Sequence, residues 1–246
     1  MSKMIKKWRQ IGAKLETKHD GIQFLSALEY IDKINLKNVK TLADVGAGPG
    51  HQAYIFSKRE IDVTCIDYVR PRYDLPWLHP ENTSGKIFDA IWSHHCLEHI
   101  RDPIGALLEW SKLLPVSGRL FLTCPQIGLN MSTGHVSSFN IPHLIYLLAL
   151  SGYDCSEKQF TISRSHLRAN VRKSAFYDPV NEGVITDLRE LAKRGSFGPS
   201  ITRAIEERGR FSAKDIHLDW FGENSTPNPL AEEAFAFTMA NLWLKK

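Results

Sequence analysis

The sequence predicts an α/β protein built on a Rossmann-like, mainly parallel sheet with helices on both faces. Two observations carry this. Short apolar runs alternate with segments of helical periodicity along most of the chain. The first of those runs passes directly into a glycine-rich turn, "ADVGAGPGHQAYIF" at 43–56, which opens a helical pattern.

Each element has a local reason. Ile22, Leu25, Leu28 and Ile31 recur at three-residue steps, so residues 1–38 are expected to form an N-terminal helical segment. "VKTLADVG" (39–46) reads as a fully buried strand, followed by helix through "HQAYIFSKRE". "IDVTCIDYV" (61–69) and "FDAIWSHH" (88–95) read as further strands. "RDPIGALLEWSKLLP" starts with Asp102 as N-cap and Pro103 as first helical residue, with Leu107, Leu108 and Leu114 as its buried stripe. "GRLFLTCP" (118–125) is a strand, "SFNIPHLIYLLALSGY" a helix ended by Gly152, and "CSEKQFTI" a weak strand. "AEEAFAFTMANLWLKK" suggests a last strand over 233–244. Residues 39–164 and 231–246 are thus expected to form the core. Residues 165–230, with "VITDLRELAKR" and "PSITRAIEER", are expected as a helical insertion serving as a substrate lid.

The bulk numbers exclude several classes. A chain of 246 residues can bury a full core. Its net charge of +4 is too small to indicate a nucleic-acid binder, which concentrates basic charge on one face. The four cysteines, Cys65, Cys96, Cys124 and Cys155, show no C-x-x-C pair and are expected as reduced, mostly buried thiols. The amino terminus lacks a signal-peptide apolar core, and no apolar run reaches the roughly 18 residues of a membrane span. A cytoplasmic location without a membrane span is expected.

In an open α/β sheet, ligands bind beyond the carboxyl ends of the strands. Asp44, Gly46 and Gly48 occupy that position on the first strand, and glycine there permits positive φ and a close ligand. The spacing is G-x-G-x-G. In the G-x-G-x-x-G dinucleotide fingerprint the third glycine would fall at His51, which disfavours a nicotinamide dehydrogenase. Pro49 stiffens the turn, and Asp44 would repel a diphosphate while attracting an ammonium group. Asp67 ends the second strand, where a carboxylate accepts ribose hydroxyls. A cofactor with an amino-acid end, a ribose and no phosphate is implied, and S-adenosylmethionine meets that description.

"DVGAGPG", "IDYV", "DLPW", "FDAIWSHHCLEHIRDPIGALLEWSKLLPVSGRLFLTCP" and "GHVSSF" together resemble the class I S-adenosylmethionine-dependent methyltransferases, particularly the group with ubiquinone-pathway O-methyltransferases. The resemblance spans residues 40–152. It implies that Asp44, Gly46 and Gly48 line the methionine end, that Asp67 and the adjoining Tyr68 meet the nucleoside, and that Ser93 and His94 lie beneath the sulfonium. Only six residues separate Asp67 from "DLPW", where the family fits a helix and a strand, so both are expected to be missing or vestigial. Leu75 and Trp77 are then the stand-ins for the adenine contact.

"HHCLEH" places His95, Glu98 and His99 at i, i+3 and i+4, one face of a helical turn. The resemblance implies a divalent metal there, held by His95, Glu98, His99 and His135, whose nitrogen-rich set would suit a transition ion over Mg²⁺. The alternative is that "LEH" makes only structural hydrogen bonds. His135 has a second expected role as the base that removes the acceptor's proton, so the catalytic candidates are His135, His95 and His99. Arg168 and Arg172, four apart, could pair with an anionic acceptor or could form a solvated helix face. The expected activity is O-methylation of a small-molecule or glycan intermediate, as in polysaccharide biosynthesis. An RNA methyltransferase and a non-catalytic interaction module are the alternatives. Nucleic acid is the less favoured partner, and homo-oligomer formation stays open.

Overall fold

The computed structural model describes residues 27–28, 30–32, 34–125, 133–156, 160–163, 166–212 and 215–216. The periodicity at Ile22 and Leu25, most of the loop before His135 and the expected strand at 233–244 lie outside these residues. The chain divides into two compact units, Met1–Thr83 and Ser84–Lys246.

In the first unit, β1 (Thr41–Val45) leads through the glycine turn into α1 (His51–Ser57), then β2 (Asp62–Ile66) and a two-residue β3 (Trp77–Leu78). The three strands are parallel, with Val45 opposite Ile66 and Ile66 opposite Leu78. Leu42, Ala43, Val45, Val63, Cys65 and Ile66 are buried, as are Ala53, Ile55 and Phe56 of α1. Ala27, Leu28, Tyr30 and Ile31 are helical and buried, in keeping with the periodicity read there. Between Asp67 and Trp77 there is no helix, and β3 is the shortest possible strand. The expected shortening near the third strand is therefore present.

The second unit contains β4 (Ala90–His94), α2 (Pro103–Lys112), β5 (Arg119–Pro125), α3 (Ile141–Leu150), β6 (Tyr153–Asp154), β7 (Phe160–Ser163) and β8 (His166–Lys173). Three further helices follow: α4 (Pro179–Glu182), α5 (Leu188–Lys193) and α6 (Pro199–Arg208). β4 and β5 are parallel, and β8 runs antiparallel to β5 and, on its other edge, to β6 and β7.

Asp102 caps α2 through Gly105 N at 2.9 Å, with Pro103 behind it, as expected. Leu107 and Leu114 are buried, whereas Leu108 is only half-buried; Trp110 and Ser111 complete the covered face. Asn140 caps α3, and Gly152 leaves it at φ +81°.

One expectation needs correction. Residues 165–230 were expected to be helical from their start, yet 166–173 form β8, the longest strand described, packed along β5. "HLRANVRK" alternates apolar and polar residues, a period-2 pattern, and both Ala169 and Val171 are fully buried. The 168/172 spacing is thus that of a strand, and Arg172 is exposed opposite Arg119. The helical stretch begins at Pro179. No described helix is long and apolar enough to cross a membrane. Cys65, Cys124 and Cys155 are buried and Cys96 half-buried, and none of the four is in a disulfide. Burial, aided by Asp44 and Asp67, pushes the Cys65 thiol up to about 12, so it stays protonated and unreactive.

Candidate functional site

Two groups of the expected residues take shape, one in each unit. In the first unit, β1 ends at Asp44 and Val45, and the chain turns through Gly46 (φ +76°), Gly48 (φ +51°) and Gly50 (φ +82°). Gly46 N donates to Ile66 O, which holds the turn beside the end of β2. Gly48 N donates to Asp67 Oδ2 at 2.8 Å, and Val69 N donates to Asp67 Oδ1 at 3.0 Å. The Asp67 carboxylate is therefore fixed, and each oxygen retains a lone pair for a further donor such as a hydroxyl. A Cβ on Gly48 would meet nothing within 4 Å, so the turn is open on the side where a ligand would approach.

Asp44 is 2% exposed, and its Oδ2 has no hydrogen-bond partner among the described residues. Burial pushes its carboxyl up to about 7; the Ala53 N–H opposes this, and the Asp67 charge adds to it. An ammonium group at Oδ2 would satisfy the orphaned oxygen and neutralise the buried charge. The turn thus fits the amino-acid and ribose ends of S-adenosylmethionine.

The connection after Asp67 folds back on the turn. Arg72 N donates to Pro49 O, and a Cβ on Gly50 would lie 2.7 Å from Pro71 Cβ. Tyr73 stacks on Tyr54 and its hydroxyl bonds His51 Nδ1 at 2.8 Å. This strap was not foreseen, although the short interval before "DLPW" left no other route. Of the stand-ins, Trp77 spends its indole N–H on Asp67 O at 3.0 Å, which makes it an anchor for Asp67. Leu75 is half-buried on the strap, and Tyr68 is exposed beside Asp67.

In the second unit, Ser93 and His94 end β4, both buried; Ser93 Oγ has no partner among the described residues, and His94 stacks on Trp92. His95 follows at φ +56°, a left-handed conformation that is costly for a non-glycine residue. Leu97–His99 form a single 3₁₀ turn. His95 precedes this turn instead of lying on it, and its Nδ1 meets Glu98 Oε1 at 2.9 Å.

Three of the four expected ligands do assemble. Donor atoms of Glu98, His99 and His135 lie within 4.8 Å of one another, with His95 outside the set. The loop carrying His135 is stapled to this turn. Val136 N and Ser137 N donate to Glu98 O, Ser137 Oγ to Ile100 O, and His99 Nδ1 to Gly134 O at 3.0 Å. The last bond leaves His99 Nε2 as its ligand or acceptor atom. Glu98 is fully buried, with Oε2 lacking a partner among the described residues. Two imidazoles and one carboxylate suit a divalent transition ion.

The sequence matches the family model described as a methyltransferase domain over residues 8–157. Among curated proteins, none matches significantly. Solved structures of similar fold share low identity with the chain. The 1,6-didemethyltoxoflavin N1-methyltransferase of Burkholderia thailandensis, solved with 1,6-didemethyltoxoflavin and S-adenosylhomocysteine, is 19% identical over 70% of this chain and 85% of its own, with a TM-score of 0.52. An O-methyltransferase family protein from Burkholderia thailandensis is 11% identical, covering 68% of this chain and 62% of its own at a TM-score of 0.53. A SAM-dependent methyltransferase from Archaeoglobus fulgidus is 13% identical, covering 67% and 98%, at a TM-score of 0.50. With a glycine turn and paired carboxylates suited to the cofactor, the chain belongs to the methyltransferase-domain family and is a class I, S-adenosylmethionine-dependent methyltransferase.

Proposed function

We propose that the acceptor atom is an oxygen and that the acceptor is a small molecule or glycan intermediate, in a cytoplasmic reaction. The observation that carries this reading is the cluster of Glu98, His99 and His135. An alcohol or phenol must lose a proton to react, and this cluster supplies groups that remove one or gather acceptor oxygens.

S-adenosylmethionine, when bound, supplies a methyl group already activated on a sulfonium. The protein's work is then to bind, align and deprotonate. Asp44 takes the ammonium of the methionine end, Gly46 and Gly48 allow close approach, and Asp67 accepts from the ribose. The family resemblance gives Ser93 and His94 the place beneath the sulfonium. His135 accepts the acceptor's proton, and the bonds from its loop to Glu98 and Ile100 fix where it stands. Alternatively, Glu98, His99 and His135 would together hold a divalent ion, which would polarise the acceptor oxygen in place of a His135 base, with His95 hydrogen-bonded to Glu98.

His135→Ala separates these roles from cofactor binding. The expected result is a fall in turnover of about 10²-fold or more with S-adenosylhomocysteine affinity unchanged. Full activity in this variant overturns the assignment. Chelator treatment followed by readdition of Mn²⁺ or Zn²⁺ tests the metal, and activity indifferent to both removes it. Acceptors are sought among phenols, sugar nucleotides and phosphorylated sugars.

A further inference from the structure

A chain of contacts through the strap joins the carboxyl of Asp67 to that of Asp44. Asp67 is tied to the glycine turn by Gly48 N and to the strap by Val69 N. Further along the strap, Pro71 packs on Gly50, where an added Cβ would lie 2.7 Å from Pro71 Cβ, and Arg72 N donates to Pro49 O at 3.1 Å. Tyr73 then reaches α1. Its ring stacks on Tyr54 with centroids 4.5 Å apart at 11°, and its hydroxyl is hydrogen-bonded to His51 Nδ1 at 2.8 Å. His51 opens α1, and two residues later the Ala53 N–H donates to the Asp44 carboxyl. The Asp44 carboxyl is therefore anchored on the first turn of α1, whereas Asp67 is held by the glycine turn and the strap.

The start of α1 has no side-chain cap of its own. Gly50 stands at the N-cap at φ 82°, and no acidic residue lies in the first turn. A helix start without a capping side chain leaves its position to outside partners. Tyr73 is such a partner, because His51 and Tyr54 are three residues apart on one face of the helix and it touches both.

We infer that the latch between Tyr73 and His51 sets the distance between the Asp44 and Asp67 carboxyls, and that Tyr73 is a positioning residue for the methionine end of the cofactor. The inference rests on the S-adenosylmethionine site at Asp44 and Asp67 and adds the residue that spaces its two ends. A ligand bridging two groups binds best when their spacing is set before it arrives, since ordering them on binding costs affinity. Breaking the latch frees the first turn of α1, and Asp44 with it, while both bonds that fix Asp67 remain. The loss should then fall on ligands that carry an ammonium group and spare those that carry the nucleoside alone.

The test is calorimetric titration of the full chain with S-adenosylhomocysteine and with methylthioadenosine, which has the nucleoside and sulfur but no amino-acid end. Wild type is compared with Tyr73→Phe, His51→Ala and the double variant. Phenylalanine keeps the stack on Tyr54, so the melting temperature of Tyr73→Phe should stay near that of wild type. Tyr73→Phe is expected to bind S-adenosylhomocysteine about fivefold more weakly and methylthioadenosine as wild type does. The double variant should bind S-adenosylhomocysteine no more weakly than His51→Ala, because both changes break the same bond. Unchanged S-adenosylhomocysteine affinity in Tyr73→Phe, equal losses with both ligands, or additive losses in the double variant overturn the latch and leave the cofactor site standing. A wild type that binds S-adenosylhomocysteine but not methylthioadenosine also overturns it, since Asp67 would then have no hold separate from that of Asp44. No binding of S-adenosylhomocysteine to wild type overturns the cofactor site and this inference together.

Discussion

Replacing Asp44 by asparagine should stabilise the unliganded protein and weaken its hold on the cofactor. The carboxyl is buried with one oxygen unpartnered, and burial lifts it from its ordinary 3.8 to about 7. The folded state therefore holds the proton more tightly than the unfolded chain. Stability falls as pH rises from about 4 and levels off above about 7, a loss of about 4 kcal/mol once the group is ionised. Asparagine keeps the shape and removes the charge, so the variant should lack this decline. Urea denaturation of both proteins at about pH 5 and about pH 8 reads the effect. The stability advantage of Asp44→Asn should grow by about 3 kcal/mol between them, since wild type at pH 5 is still largely protonated. In titrations with S-adenosylmethionine at about pH 8, the variant should bind about 10²-fold more weakly, because the ammonium loses a charged partner. Wild-type affinity should fall about tenfold per pH unit below 7, where binding must first expel the proton. A stability difference that does not change with pH, or cofactor affinity unaltered in the variant, refutes the reasoning.

Three other substitutions probe the frame. Asp67→Ala removes the proposed ribose acceptor and frees Gly48 N, and cofactor affinity by calorimetry should drop about 10²-fold or more; an unchanged dissociation constant removes the ribose assignment. Gly50→Ala sets a Cβ against Pro71 at positive φ and should cost about 1–3 kcal/mol in denaturant unfolding, whereas wild-type stability would show that the strap does not press on the turn. Asp102→Ala deletes the cap to Gly105 N and should cost about 1 kcal/mol, with Asp102→Asn retaining most of it.

What the sequence made legible is what each segment declares locally. β1, β2, β4 and β5 are short, largely apolar runs, and α2 carries its own cap and proline, so their positions follow from a few neighbouring residues. β8 was legible too, through the alternation of Leu167, Ala169 and Val171. The interleaved arginines invite a charged-face reading, and only pairing with β5 decides between them. The carboxylates at the strand tips were recoverable because topology dictates where such tips lie. The histidine cluster was recoverable only in composition. Its geometry depends on the left-handed turn at His95, which swings that ring onto Glu98, and on hydrogen bonds joining residues far apart in the chain.

The most direct test is a crystal structure of the full chain with S-adenosylhomocysteine. The account predicts its amino nitrogen within hydrogen-bond reach of Asp44 Oδ2 and its ribose hydroxyls on Asp67. A cofactor seated elsewhere, or a chain that binds none, contradicts it.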